Sequence, residues 1–325
     1  MTEGSWRYLH HHLEPIGFLL ERDDVTDLYV NRPGEIWAET LGGLIERHEV
    51  SALDRALLAR LVSQIAAFSH QGLNREHPLL SAVLPDGSRV QVVAPPATRG
   101  AMALAIRKHV SADMSLNDYV SAGAFHEAVH HSNDRGALRD ELQKCRTQGD
   151  LPGLLRAAVR GRQNILVSGG TSTGKTTFLN ALIREIPDYE RLITIEDTPE
   201  LKIRHANAIG LLAARGVLGE AQVSADDLVS ASLRMRPDRI ILGELRGPEA
   251  YAFLRAINTG HPGSMTTVHA DSTEGAVEQI ALLILQGGSR LSRRDVLDYV
   301  RGSIGVFVQL ARVAGRRHVT EVVCV

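Results

Sequence analysis

Two periods of hydrophobicity alternate along this 325-residue chain. One is the short apolar run of strand length; the other places Leu, Ile and Ala every three or four positions, as on a helix. In the first hundred residues, Asp27 to Val30 and then residues 35–39 read as two strands around the turn at 31–34. From residue 51, Leu53, Leu57, Leu58, Leu61, Ile65 and Ala66 trace an amphipathic helix. Residues 79–84 and 89–93, joined by Pro85, Asp86 and Gly87, form a hairpin with alternating faces, and residues 101–108 add one more strand. Residues 5–20 are expected to be a first helix, with His10, His11 and His12 on a solvated turn.

The pattern is weakest over residues 109–150. Residues 115–120 start a helix, and His126, His130 and His131 fall on another, without the carboxylate or cysteine partners that a metal site needs. Residues 133–136 read as a break. The expected organisation is an α/β domain with a mixed sheet over residues 1–110, a linker over 111–122 and a larger domain over 123–325. In that larger domain strands and helices alternate, the mark of a mainly parallel sheet. Its strands are expected at 165–167, 191–195, 240–242 and 264–268, with a closing hairpin over 306–323 that turns at Gly315. Its helices begin at 151, behind the glycine loop after the first strand, at the capping box of Ser224 and Asp227, at Pro248, at Asp271 with Glu274, and at Ser292.

That glycine loop carries the chemistry. NILVSGGTSTGKTTFLNAL at 164–182 sets GGTSTGKT between an apolar strand and a helix that Pro187 closes, the context the phosphate-loop pattern requires. Backbone N–H groups of Gly169, Gly170, Thr171, Ser172, Thr173 and Gly174 are expected to converge on phosphate oxygens at a helix N-terminus. Lys175 would reach the β- and γ-phosphates of ATP, the Thr176 hydroxyl would ligate Mg²⁺, and Thr177 would serve the α-phosphate.

Composition narrows the setting. Charge is balanced, 36 basic against 38 acidic residues, and aromatics are 4%, so neither a polyanion-binding excess nor base-stacking platforms are in evidence. The two cysteines lack metal-ligand spacing, the N-terminus lacks a signal-peptide layout, and the longest apolar run, 280–285, is too short to span a bilayer. A cytoplasmic protein is expected.

Ligands of open α/β sheets bind beyond the carboxyl ends of the strands. The phosphate loop, Glu196 with Asp197, Glu244 and His269 each follow such an end. Glu244 after the apolar strand 240–242 is the candidate base for water attacking the γ-phosphate.

Four segments together carry a family resemblance: the loop at 164–182, TIEDTPEL at 194–201, LRMRPDRIILGELRGPEA at 233–250 and TGHPGSMTTVHA at 259–270. In order and spacing they resemble the signature boxes of the type II/IV secretion ATPases, and LPDGSRVQVV with LAIRKH most resembles the VirB-type traffic ATPases of type IV secretion. The resemblance implies a RecA-like P-loop domain and a homohexameric ring with ATP between the two domains of each subunit. It implies that Arg89 and Arg107 reach the γ-phosphate, that Glu196 and Glu200 support Mg²⁺ and water, and that His269 senses the γ-phosphate. Arg234 or Arg236 would face a neighbour's nucleotide. It further implies a station at the cytoplasmic face of the inner membrane, partner components of a secretion machine, and protein or DNA as cargo. No acidic residue precedes Glu244, where Leu242 and Gly243 stand, and no paired CxxC motif marks the type II branch. Three readings compete: a P-loop kinase, which does not require the acidic and histidine boxes together; a nucleic-acid motor, disfavoured by the balanced charge; and a nucleotide-gated scaffold, disfavoured by intact Lys175 and Glu244. Conjugation ATPases and pilus assembly and retraction motors remain relatives.

Overall fold

The structure is a computed structural model that describes residues 3–109, 115–121, 125, 131–214 and 220–325. It begins with α1 (Glu3–Leu13), a 3₁₀ turn (Glu14–Ile16) and α2 (Gly17–Leu20). The single helix expected over residues 5–20 is thus interrupted, because Pro15 has no N–H to give the ladder. The three histidines lie in the last turn of α1, where His10 and His11 are exposed to solvent.

β1 (Val25–Val30), β2 (Glu35–Thr40) and β3 (Ile45–Glu49) follow, then α3 (Arg55–Phe68), β4 (Leu79–Val83), β5 (Arg89–Val93) and β6 (Ala103–Arg107). The α3 helix starts where Asp54 accepts a hydrogen bond from the Leu57 amide at 2.7 Å, and it buries Leu58, Leu61, Val62 and Ile65 on one face. The six strands run β3-β2-β1-β6-β5-β4, antiparallel at every pairing, where a mixed sheet was expected. β3 escapes the sequence pattern because it is a half-exposed edge strand with the composition IERHE.

Two helices, α4 (Leu116–Ser121) and α5 (His131–Gln148), lead to α6 (Leu151–Arg160). The break expected at 133–136 is helical: an isolated glycine such as Gly136 costs a helix only about 1 kcal/mol. The histidine face expected there lies partly outside the described residues, at His126 and His130, while His131 opens α5.

The second sheet is built from β7 (Ile165–Gly169), α7 (Lys175–Ile183), β8 (Leu192–Glu196), β9 (Ala208–Leu212), α8 (Ala225–Ser232), β10 (Arg239–Leu242), α9 (Glu249–Asn258), β11 (Met265–Val268), α10 (Thr273–Gln286), α11 (Arg293–Ser303), β12 (Val306–Val313) and β13 (Arg316–Cys324). Its order is β13-β12-β7-β11-β10-β8-β9, parallel except for the closing hairpin. The capping box of Ser224 and Asp227 is present, but Ser272, not Asp271, caps α10, its hydroxyl accepting from the Gly275 amide at 2.9 Å. The helix behind the loop stops at Ile183, although Ile186 is still buried.

One face of this sheet packs on α6 and α7 through Leu154, Ile165, Val167, Leu179, Val308 and Leu310. The other packs on α8 to α11, and Tyr29, Val93, Ala103 and Ala105 of the first sheet join that core. The halves are stitched further at the outer edge of β9. Residues 97–99 pair with it antiparallel, through Arg99 N–H to Gly210 O and Leu212 N–H to Ala97 O, both at 2.9 Å. Arg191, fully buried, lies 4.1 Å over the Tyr29 ring and donates to Asn31 Oδ1 at 2.8 Å and Met235 O at 3.0 Å. Burial lowers the pKa of this guanidinium to about 10, so it stays charged at neutral pH.

Arg239 is the other fully buried arginine among the described residues. It grips Glu190 with two bonds of 2.6 and 2.7 Å and donates to Val159 O at 2.7 Å, tying β10 to α6. Replacing Arg239 with Ala leaves the buried Glu190 with only the half-exposed Arg162, 3.2 Å away, as a cationic partner. We expect a loss of about 3 kcal/mol in urea unfolding, the low end for a broken buried pair, with the Glu190→Gln exchange recovering part of it.

Candidate functional site

β7 is buried along its whole length between β11 and β12, so the chain leaves it with a fixed direction. Gly169 has no room for a side chain: a Cβ there would stand 2.6 Å from Thr173 Oγ1 and 2.8 Å from Leu310 O. The loop curls through Ser172 (φ +62°) and Gly174 (φ +93°), with Thr173 Oγ1 donating to Gly170 O at 2.9 Å. Lys175 then opens α7, and its ammonium donates to Gly169 O at 3.0 Å and Gly170 O at 3.3 Å. Thr171 and Ser172 are exposed at the rim, and Thr177 lines a neighbouring groove with Asn180, Glu200 and Lys202.

The other strands deliver their side chains to the same edge. Leu242 pairs with Ile195 on one side and Thr266 on the other, which brings Glu244, Glu196 and His269 beyond one line of strand ends. His269 Nε2 stands 2.7 Å from Glu244 Oε1, and its Nδ1 stands 3.3 Å from Lys175 Nζ. The imidazole thus stands between the Glu244 carboxylate and the Lys175 ammonium. Arg246 pairs with the second oxygen of Glu244. Burial pushes the Lys175 amine below its ordinary range, opposed by the nearby Glu244 charge and reinforced by Arg246. The predicted Lys175, His269 and Glu244 therefore form one connected group. Arg246 joins it unannounced by the sequence, where its spacing of two residues from Glu244 was the available signal.

Thr176, Glu196, Asp197, Glu200, Gly243 and Glu244 line a cavity of about 100 Å³ beside the loop. Its carboxylates and hydroxyls offer oxygen, the donor type of a hard cation such as Mg²⁺, while the Arg246 guanidinium also lines the cavity, on the Glu244 side. Among the described residues no three His, Cys, Asp or Glu groups converge closely enough to hold an ion by themselves, so a cation there would need nucleotide oxygens and Thr176. Glu196 is already engaged: one oxygen accepts from the Glu200 and Leu201 amides at 2.9 and 2.7 Å, and the other pairs with Arg99. Arg99 also donates to Leu201 O at 2.7 Å. Glu196 thus shapes the acidic loop from within, held by an arginine of the first half that no motif marked. Glu200 stays exposed at the cavity wall.

Arg89 and Arg107 are direct register partners on β5 and β6. Together with Asp27, Arg234 and Arg236 they line a separate cavity of about 510 Å³ in which no residue of the phosphate loop takes part. Within one chain they are therefore not brought to the loop. Arg234 donates to Ser81 Oγ at 3.2 Å, and Arg236 pairs with Glu39 and Asp238.

The family model of the type II/IV secretion system protein matches residues 10–289. The chain is 36% identical to the type IV secretion system protein VirB11 of Bartonella henselae, over 95% of this chain and 91% of that one. It is 38% identical to the type IV secretion system protein PtlH homolog of Bordetella bronchiseptica, over 96% and 93% respectively. The crystal structure of the VirB11 ATPase from the Brucella suis type IV secretion system, in complex with sulphate, matches with a TM-score of 0.92 at 36% identity, over 99% of this chain and 95% of that one. The fold is the two-domain, RecA-like P-loop fold of that ATPase. With the family match running through both sheets, the phosphate loop and Glu244, the chain belongs to the type II/IV secretion system proteins and, among them, to the VirB11-type traffic ATPases of type IV secretion.

Proposed function

We propose that this chain is a Mg²⁺-dependent ATPase that cleaves ATP with water to ADP and phosphate, and that it works as a homohexameric ring. The observation that carries the reading is the linked group of Lys175, His269 and Glu244 at the mouth of the phosphate loop. Lys175 neutralises the β- and γ-phosphates, and the Gly170 to Gly174 amides cradle them. Glu244 holds and polarises the attacking water, and His269 relays the presence of the γ-phosphate to it. Thr176 would hold Mg²⁺, which would supply charge stabilisation to the phosphates. Glu196 and Glu200 support that side of the site.

The arginine cavity supports the ring. Arg89 and Arg107 lie apart from their own chain's loop, so we assign them, with Arg234 and Arg236, to the nucleotide of a neighbouring subunit, where guanidinium forks suit phosphate oxygens. The domain limits we assign are 1–110, a linker at 111–122, and 123–325. No helix among the described residues is long and apolar enough to cross a membrane. We place the ring as a peripheral component at the cytoplasmic face of the inner membrane, among the other parts of a secretion machine. There it would drive transfer of protein or DNA, or pilus assembly.

The deciding experiment measures ATP turnover per subunit against protein concentration, with molar mass by light scattering on the same samples. Turnover that rises as a species of six subunits forms is the expected result; the same rate from a stable monomer would refute the ring. In the same assay, mixing inactive Arg107→Ala chains with inactive Lys175→Ala chains should restore turnover, since some loops then face an intact arginine in trans. No recovery on mixing would return the arginines to their own subunit.

A further inference from the structure

The closing hairpin reaches past the sheet. β12 pairs in parallel with β7 only as far as Leu310 opposite Gly169, then runs on to Val313 with β13 as its partner. Its tip therefore overhangs the end of β7, beside the phosphate loop. Side chains alternate along a strand. Val308 and Leu310 enter the core against α7, so Arg312 is the next residue on that face, and its register partner on β13 is Arg317. A Cβ on Gly174 would stand 2.9 Å from Arg317 Cδ, 3.3 Å from Nε and 3.4 Å from Nη1. The Arg317 side chain thus lies against the last glycine of the loop, one residue before Lys175.

The hairpin is also held in register with the site. Gln309 accepts from Ser168 Oγ of β7 and donates to Ala270 O, next to His269, at 3.2 Å. Glu321 accepts from Thr273 Oγ1 at 2.9 Å. At the tip the charges are uncompensated: the side chains of Arg312, Arg316 and Arg317 make no ion pair or hydrogen bond among the described residues. Like charges directly opposite across two strands are destabilising. An anion between hairpin and loop would relieve that repulsion.

We infer that Arg317 is a nucleotide-binding residue, whose guanidinium closes the phosphate loop from the hairpin side and takes a phosphate oxygen of the bound nucleotide. The inference rests on the ATPase reading of the loop. Arg317 binds rather than reacts: it lies against Gly174 and makes no hydrogen bond or ion pair with Lys175, Glu244 or His269, so its loss weakens binding more than it slows hydrolysis.

The test is titration of the full-length protein with a fluorescent ADP analogue and Mg²⁺, comparing wild type with Arg317→Met, Arg317→Lys and Lys175→Ala. Arg317→Met keeps a long apolar stem and removes the charge; we expect its Kd to rise about 10-fold, the lower range for a hydrogen bond to a charged group, with Arg317→Lys between it and wild type. The melting temperature of the free protein should not fall, and should rise slightly if relief of the Arg312–Arg317 repulsion is felt. Wild-type affinity in Arg317→Met, with binding lost in Lys175→Ala, overturns the role of Arg317 alone. Wild-type affinity in Lys175→Ala overturns the loop reading and this inference with it. An equal loss in both Arg317 variants, with a lowered melting temperature, would assign Arg317 to packing and also overturn it.

Discussion

Glu244→Gln should bind ATP as the wild type does and lose turnover by roughly 10²–10⁴-fold, the usual contribution of a positioned general base. The exchange keeps the side-chain shape and the contact with His269, 2.7 Å away, but removes the charge that polarises water. Binding should survive because the groups that hold phosphate, Lys175 and the loop amides, are untouched. Loss of a carboxylate near Lys175 also removes a rival for its ammonium, so affinity for the polyanion should not fall. Equilibrium binding and single-turnover hydrolysis, measured on the same preparation, separate the two effects. Wild-type hydrolysis in this variant would strip Glu244 of its role.

Lys175→Ala should behave differently, losing affinity and rate together. One ammonium serves two ends. In the structure it is held by Gly169 O, Gly170 O and the His269 ring; with ATP present it faces the β- and γ-phosphates. Removing a positioned donor of this kind costs roughly 10²–10³-fold in rate. The variant should also fail to retain nucleotide through gel filtration, where Glu244→Gln retains it. If both variants bind equally well, the loop is not the phosphate cradle.

The site was legible where local pattern and chemistry coincide. Inside a parallel sheet, an apolar run that ends in a glycine loop or a lone carboxylate marks the edge where ligands bind, so Lys175, Glu244 and His269 stand out in the sequence itself. The grouping of Glu196 with Arg99 was not legible. It depends on residues 97–99 lying along β9, a pairing between distant segments that leaves no periodic trace. The same limit hid β9 itself, whose AIGLL is too short to separate from loop, and the reach of the β12–β13 tip over Gly174. Arg89 and Arg107 show a third limit. Their register partnership follows from the strands, but which loop they serve depends on how the halves are set against each other.

The strip at residues 97–99 has a consequence for modularity. It belongs to the first half by position and to the second by hydrogen bonding, so the seam between the halves does not coincide with a cut in the chain. A second half excised without it would bare a strand edge ready to pair with another copy, and would leave the Glu196 carboxylate buried beside a missing cation. Hybrids between relatives should therefore inherit this strip together with β9 and the acidic loop, as one inseparable unit of recombination.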